Sequence, residues 1–294
     1  MAMQIPAISP SRLSELDASY RSAVADRRRR TLFGFGLLAV VIVASGWVGE
    51  VNVPAVFENG SRFFSYIGRI FTLDSGQFVL TDPVEWYWGL GRWLRLIGET
   101  VVIAYLATIF GGIAAFILSF LAARNLTHNA SVRFVARRFL EFCRTVPEIV
   151  YAMIFVVALG LGPLPGVLAL TIHTTGALGK LFFEVLENAD DKPLEGMVST
   201  GANWFTSLRF AILPQVISNF TSYALLRFEI NVREGAIMGA VGAGGIGQDL
   251  LEAIRKFYYP DVSAMLVLLI ITVSLIDYGT EKIRYRLINM EGGR

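Results

Sequence analysis

The sequence predicts an all-α integral membrane protein of about six transmembrane helices, and three observations carry that prediction. Only 17% of the residues are charged while 54% are hydrophobic, against roughly 25% charged in soluble globular domains. The charges are clustered, leaving uncharged runs of 19 residues from Thr31 to Gly49 and 24 from Thr100 to Ala123. A helix needs about 20 mostly apolar residues to cross the roughly 30 Å hydrocarbon core, and a buried helix of a soluble protein rarely needs either run. Arginines gather beside these runs, at Arg27 to Arg30 and again from Arg124 to Arg144, which orients a membrane chain with those segments in the cytoplasm.

Residues 1–30 are polar, partly helical in pattern, and expected on the cytoplasmic surface. The apolar run after them exceeds the roughly 7–15 residues of a cleaved signal peptide, so 31–48 is expected as an uncleaved first membrane helix. Between 51 and 99, Arg62, Arg69, Asp74, Arg92 and Arg95 alternate with Phe63, Phe64, Trp86, Trp88 and Trp93. Aromatic and basic residues mixed in this way favour the headgroup zone, which predicts short helices on the outer face. Helix two is expected over 100–122, with a basic cytoplasmic segment after it. Helix three covers about 146–161, ended by the turn Gly160-Leu-Gly-Pro-Leu-Pro165, and helix four about 166–181. Residues 183–210 are acidic and then small, a water-facing loop. Helix five is expected over 211–231, a glycine-rich and then charged stretch over 232–261, helix six over 262–278, and a basic tail over 281–294. Alternating sides put both termini, the 124–145 segment and the 183–210 loop in the cytoplasm of a cell whose inner membrane the chain crosses.

Net charge of +2 says little about partners, because the charge is split by location; membrane lipid is the expected surroundings and no nucleic acid is expected. One cysteine, Cys143, excludes an internal disulfide and a multi-cysteine metal site, and reads as a small apolar residue in a cytoplasmic helix. Two histidines, His128 and His173, are too few and too far apart for a helical metal motif, so no metal site is expected.

The most informative loop runs Asp191-Lys-Pro-Leu-Glu195-Gly-Met-Val-Ser-Thr-Gly201 and on to Leu213-Pro214. Asp190 or Asp191 can cap a helix whose first turn suits Pro193 and Glu195. Gly201 then interrupts that helix, and Leu213-Pro214 starts the next membrane helix. The spacing predicts a helix–turn–helix along the cytoplasmic surface, with a small residue where a partner could approach.

Gly242, Gly244 and Gly247 also spell G-x-G-x-x-G, but a dinucleotide site needs a βαβ unit and an acidic residue about 20 positions on, where this chain has Val267. These glycines, with Gly245, instead suit a tight non-helical turn at the outer mouth of a pathway, tolerated where it lines a cavity. No G-x-x-x-x-G-K-[ST] motif occurs, so ATP hydrolysis is not expected of this chain. Arg227, Glu229, Arg233 and Glu234 fall near the outer end of helix five. They read either as a positive potential that favours an oxyanion, or as a Glu229–Arg233 pair at i, i+4 with Arg227 snorkelling to the interface. Glu148 is expected to pair with Arg144 at the same spacing, and His173 to be a packed, hydrogen-bonded histidine.

Glutamate, glycine six residues on, then Leu-Pro twelve and thirteen after that glycine resembles the EAA loop of ABC importer permeases, which docks on the ATPase subunit. Glu195, Gly201, Leu213 and Pro214 match; Gly196 and Met197 replace the usual alanines, and Ala211 stands where isoleucine is usual. Arg144-Thr-Val-Pro-Glu148, the segment from Gly160 through His173 to Lys180, and Arg227-Phe-Glu-Ile-Asn-Val-Arg233 running into Gly239 to Gly247 resemble the phosphonate and phosphite branch of these permeases. The resemblance covers roughly residues 95–290, a core over 100–280 with the coupling loop at 190–214. It implies the type I importer permease fold, a homodimer, an ABC ATPase dimer holding ATP and magnesium, and a periplasmic solute-binding protein. It implies no cofactor and no catalytic residue in this chain, and passage of phosphonate-like oxyanions, with methionine or another small solute as the alternative. Outside the class, a passive channel would leave the glutamate–glycine–Leu-Pro loop unexplained. A membrane-embedded enzyme would need a cluster of nucleophile, base or metal ligands that the sequence does not present.

Overall fold

The computed structural model describes residues 10–292, and every regular element among them is helical. The chain divides into two units, 1–65 and 66–294. In the first, α1 (Pro10–Val48) is a single helix of 39 residues. The N-terminal segment expected as a separate surface piece is therefore, from residue 10 on, the same helix as the first span. Nothing between Ser11 and Phe33 breaks it: there is no glycine or proline, and arginine and alanine are good helix formers. The first nine residues lie outside the described chain. The apolar window of α1 buries 0% of its surface within the protein, so Phe33, Val43 and Trp47 present an apolar face suited to lipid. After it comes α2 (Val53–Ile70), an amphipathic helix with Phe63 and Phe64 exposed.

The second unit takes in the last residues of α2 and then a turn whose strand-like pairing is an isolated bridge between Thr72 and Phe78. The short α3 (Pro83–Trp86) follows, capped by Asp82, whose Oδ1 accepts from Val84 N at 3.1 Å and Glu85 N at 3.0 Å. Helix α4 (Leu90–Ala122) begins at Leu90 rather than 100. Charge misled the sequence reading here. Trp93 and Ile97 are buried, and Arg92 is held by both oxygens of Asp249, at 2.9 and 2.8 Å, so the first turns stay helical despite Arg92, Arg95 and Glu99.

The third expected span is half a span. Helix α6 (Glu148–Leu159) has 12 residues, about 18 Å at 1.5 Å per residue, too short to cross the roughly 30 Å core alone. It is bent by 84° from α5 (Ala130–Thr145), the two meeting at Val146-Pro147, where proline disfavours helix in the residue before it. Helix α7 (Pro163–Glu187) is longer than expected at both ends. Next are α8 (Asp191–Ser199), α9 (Trp204–Ser207), a π-turn at Leu208–Ile212 and α10 (Leu213–Met238). A 3-10 turn at Gly239–Val241 leads to α11 (Ile246–Arg255) and the long α12 (Tyr259–Gly292).

Among the described helices four are long and apolar enough to cross a membrane, or five if the bent α5–α6 pair counts as one span. The fifth expected span, α10, has 26 residues but carries Arg227, Glu229, Arg233 and Glu234, and is not among them. Helix α7 is the core element, buried or half-buried at every residue from Pro165 to Leu186. Its small residues admit neighbours closely: a Cβ on Gly176 would lie 2.5 Å from Arg144 N, and one on Gly179 2.4 Å from Leu140 Cδ2. Small-residue contacts of this kind replace the hydrophobic drive that lipid cannot supply. Cys143 fills this α5–α7 crossing as a small buried residue. Farther along, Phe182 stacks on Phe220 of α10 at 4.1 Å.

The arginines after α4 do more than orient the chain. Glu187, at the end of α7, accepts from Arg124 N at 2.7 Å and pairs with Arg137. Arg137 Nε donates to Ala122 O at 2.9 Å, and its guanidinium lies 4.8 Å from the Phe183 ring centre. One carboxylate thus ties together the ends of α4, α5 and α7.

Candidate functional site

Two arrangements stand out. The first is the surface formed by α8, α9 and the start of α10. Asp190 caps α8, accepting from Lys192 N at 3.1 Å. The helix ends in a Schellman turn, with Gly201 N donating to Val198 O at 2.9 Å and Ala202 N to Met197 O at 3.2 Å. Gly201 is left-handed there, φ +77°, a conformation that glycine takes without the Cβ penalty. Asn203 caps α9 in turn, accepting from Thr206 N at 2.9 Å. Gln215 closes the loop onto α10: its Oε1 accepts from Asp190 N at 3.0 Å and its Nε2 donates to Asp190 O at 3.2 Å.

No residue of α8 is buried. Glu195, Gly196 and Gly201 are exposed, Pro214 is exposed, and Leu213 is half-buried at the head of α10. Val198, Trp204, Phe205 and Phe210 are each 56–66% exposed beside them. A rigidly capped helix that buries only part of Leu194 and Met197 against its own chain, rimmed by exposed aromatics, is a surface suited to a partner.

The second arrangement is a buried charge cluster. His173 sits near the middle of α7, and Arg227 lies about 21 Å along α10 from Leu213 at 1.5 Å per residue. Arg227 Nη2 donates to Glu234 Oε2 at 2.8 Å and to His173 Nδ1 at 2.7 Å, and Nε approaches Thr174 Oγ1 at 3.4 Å. Glu148, at the start of α6, brings Oε2 to 3.7 Å from His173 Nδ1. Asn231 adjoins, donating to Thr108 Oγ1 at 2.8 Å and to Thr174 Oγ1 at 3.0 Å. Insertion scales put a charge at mid-membrane at about 2.5–3.5 kcal/mol, which accounts for the grouping: each charge supplies the others' partners.

Several expected pairings change. Arg227 does not snorkel; it is only 8% exposed, because Glu234, His173 and Thr174 offer acceptors inside. Glu148 faces His173 rather than Arg144, since the bend between α5 and α6 turns the two apart. Glu229 does pair with Arg233, and Arg233 is half exposed, making no hydrogen bond to the cluster among the described residues. Glu234, grouped from the sequence with Arg227, Glu229 and Arg233 but not named as a pathway candidate, belongs to the site; its position seven residues after Arg227 puts both on one face of a helix two turns apart. The ligand atoms of Glu148, His173 and Glu234 lie within 4.8 Å of one another. The Arg227 guanidinium stands against two of the three, where a metal cation would have to sit.

The glycine stretch is a compact, buried turn. Gly242, Gly244 and Gly245 have φ of +84°, +84° and +77°, and Gly247 packs so closely that a Cβ there would lie 1.9 Å from Ala236 O. Glu99 Oε1 accepts from Gly245 N and Thr100 Oγ1 from Ile246 N, each at 3.0 Å, pinning the turn to α4. Beside it an open hollow of about 460 Å³ is lined by Leu161, Gly242, Gln248, Glu252, Arg255 and Lys256 among others. A hydrogen bond from Lys256 holds the Glu252 carboxyl below the usual carboxylate range, and the same bond raises Lys256.

Against known proteins, residues 115–278 match the family described as binding-protein-dependent transport system inner membrane component. The phosphite transport system permease protein PtxC of Stutzerimonas stutzeri is 35% identical over 265 residues, 86% of this chain and 92% of that protein. The phosphate-import permease protein PhnE of Mycolicibacterium smegmatis is 40% identical over 247 residues, 84% of this chain and 44% of that longer protein. Among solved structures, an inward-facing form of the MetNI methionine ABC transporter superposes with a TM-score of 0.60 at 22% identity, over 70% of this chain and 98% of that one.

Proposed function

Because this chain belongs to the family of binding-protein-dependent transport system inner membrane components, we propose that it is the permease subunit of an ATP-driven importer for phosphonate-like oxyanions. The observation that carries the reading is the capped α8 with its Gly201 turn, largely exposed yet tied by Gln215 to the first turn of α10. A surface so built transmits force: a partner that grips α8 moves α10. The family implies an ABC ATPase and a substrate-binding protein as partners. In this reading two copies of the chain enclose the pathway, and closure of two ATPases, which hold the ATP and magnesium, presses on residues 190–214 and rocks the helices between outward and inward states. The termini and the 190–214 loop lie in the cytoplasm. The substrate class rests on the relatives, whose names specify phosphite and phosphate, both phosphorus oxyanions. The candidate pathway residues are Glu148, His173 and Arg227 of the buried cluster, Glu229 and Arg233, and the turn of Gly242, Gly244, Gly245 and Gly247.

The test is co-purification with the ATPase encoded beside it, followed by ATP turnover in lipid. Stable association, turnover raised by loaded binding protein, and loss of both in Gly201→Asp are expected. Failure of any ATPase to associate with folded wild-type chain would remove the importer reading and leave the passive channel.

A further inference from the structure

We propose that Arg227 is the oxyanion receptor of the pathway and that Glu234 occupies it as an internal anion which the passing substrate displaces. The inference rests on the importer reading above and goes beyond it by assigning the contact. Four features of the cluster carry it.

The first is the state of the guanidinium. It offers five donors in a planar fork. Nη2 is engaged by both Glu234 and His173, and Nε only grazes Thr174 at 3.4 Å. Nη1 meets no acceptor among the described residues, although the side chain is only 10% exposed. One arm of a nearly enclosed fork is therefore vacant. Such a fork matches a phosphorus oxyanion bidentately, which a lysine cannot do.

The second is the neighbour. Helix α6 begins beside the cluster, in mid-structure, and its N-cap is Pro147, which supplies no side-chain cap. A broken helix that starts inside the membrane aims its positive end at anionic groups. Here Glu148 answers that end, just as Glu234 answers Arg227. Each positive feature carries a built-in carboxylate.

The third is accessibility. Glu148 and Glu234 are 26% and 19% exposed at their side chains, so the cluster opens on its carboxylate side. A charged opening at this depth cannot face lipid and must meet water or protein. An oxyanion arriving there meets Glu234 first, and takes Nη2 only as that carboxylate withdraws. The exchange keeps one anion on Arg227 at every stage, so the guanidinium is never left bare in the low-dielectric interior.

The fourth is selectivity among the arginines of α10. Arg233 is half exposed and already closed on Glu229, with no vacant enclosed arm, so it is not the receptor.

The experiment uses the assembled permease–ATPase complex in phosphatidylcholine nanodiscs without binding protein, with labelled methylphosphonate as the probe in equilibrium dialysis. If Glu234 holds Arg227 about nine-tenths of the time, removing its charge tightens apparent binding about tenfold. Glu234→Gln is expected to bind at least tenfold more tightly than wild type, and the added change Arg227→Gln to abolish that gain. Unchanged affinity in an assembled Glu234→Gln complex overturns the proposal, as does a gain that survives Arg227→Gln. Should Glu234→Gln not assemble, Arg227→Lys decides the matter, because it keeps the charge and loses the fork. With the same complex in sealed phosphatidylcholine proteoliposomes and binding protein present, methylphosphonate taken up per ATP hydrolysed falls at least tenfold if Arg227 is the receptor; an unchanged ratio overturns it. Absence of a wild-type complex is a different result, which removes the importer reading itself.

Discussion

Two glycines five positions apart in the partner-facing loop are expected to respond to substitution with opposite signs. Gly201 is left-handed at φ +77°, where an L-residue with a Cβ is strained by about 1–2 kcal/mol. Gly196 has no positive φ, lies in the interior of α8, and a Cβ built on it has no atom within 4 Å. Alanine there gains about 0.8–1 kcal/mol of helix propensity. Gly201→Ala should therefore lower the population of the closed Schellman turn by roughly 5–30-fold, and Gly196→Ala should raise it by a few fold. Asparagine, which visits the left-handed region with local support, should fall between glycine and alanine at 201. The readout is hydrogen exchange at two amides, Gly201 N on Val198 O and Ala202 N on Met197 O, followed by ATP turnover in the assembled complex. Faster exchange in the order Gly, Asn, Ala, with slower exchange in Gly196→Ala, is the expected series. Equal exchange for Asn and Ala at 201, or loosening by Gly196→Ala, would refute the argument that backbone conformation rather than space defines this loop.

Other substitutions test the packing. Gly247→Ala would drive a Cβ to 1.9 Å from Ala236 O and should cost about 3 kcal/mol or more as overpacking, whereas Gly98→Ala, in the interior of α4 with nothing within 4 Å, should stabilise by up to about 1 kcal/mol; thermal melts in detergent distinguish them, and equal midpoints would refute the close approach. Glu187→Gln leaves Arg137, 19% exposed at its side chain, without its charged partner and should cost about 1.5–3 kcal/mol. Arg124→Ala removes a 3.9 Å pair whose arginine is 72% exposed and should cost less than about 1 kcal/mol in the same melts.

Sequence periodicity and charge clusters announced the helical membrane class and the helix–turn–helix after Asp190, because each depends on local signals: uncharged length, a capping aspartate, a glycine two residues past the end of a helix. What escaped depends on tertiary partners. Arg92 looked like an interfacial charge until Asp249, far along the chain, paired with it inside a continuous α4. The half-length of α6 was hidden because its apolar run continues through Gly160 and Leu161, and the sharp bend at Pro147 is a matter of α5 packing across Gly176 and Gly179. Glu234 gave a periodic signal that was available at i+7 from Arg227, but the acceptor roles of His173 and Thr174 come from another helix and leave no mark in local sequence.

The two candidate sites share one helix, and that ties coupling to substrate contact. Gln215 fastens the loop to the first turn of α10, and from Leu213 to Glu234 no glycine interrupts the helix. Pro214 falls in its first turn, where proline is tolerated. The π-turn at Leu208–Ile212 lies just before this rigid stretch, so a displacement of α8 and α9 can bend there or be carried whole by α10. The bonds from Gln215 to Asp190 favour the second course. A rigid shift of α10 by even one or two ångströms changes the fit of Arg227 to His173 and Thr174 on α7, contacts only 2.7 and 3.4 Å long, while Glu234, on the same helix, travels with Arg227. The partner that the guanidinium loses on such a shift is thus the histidine, not the carboxylate. Under the proposal that Arg227 receives the oxyanion, release of Glu234 then comes from the competing anion itself, and passage is expected to depend on both the ATPase stroke and the arrival of substrate.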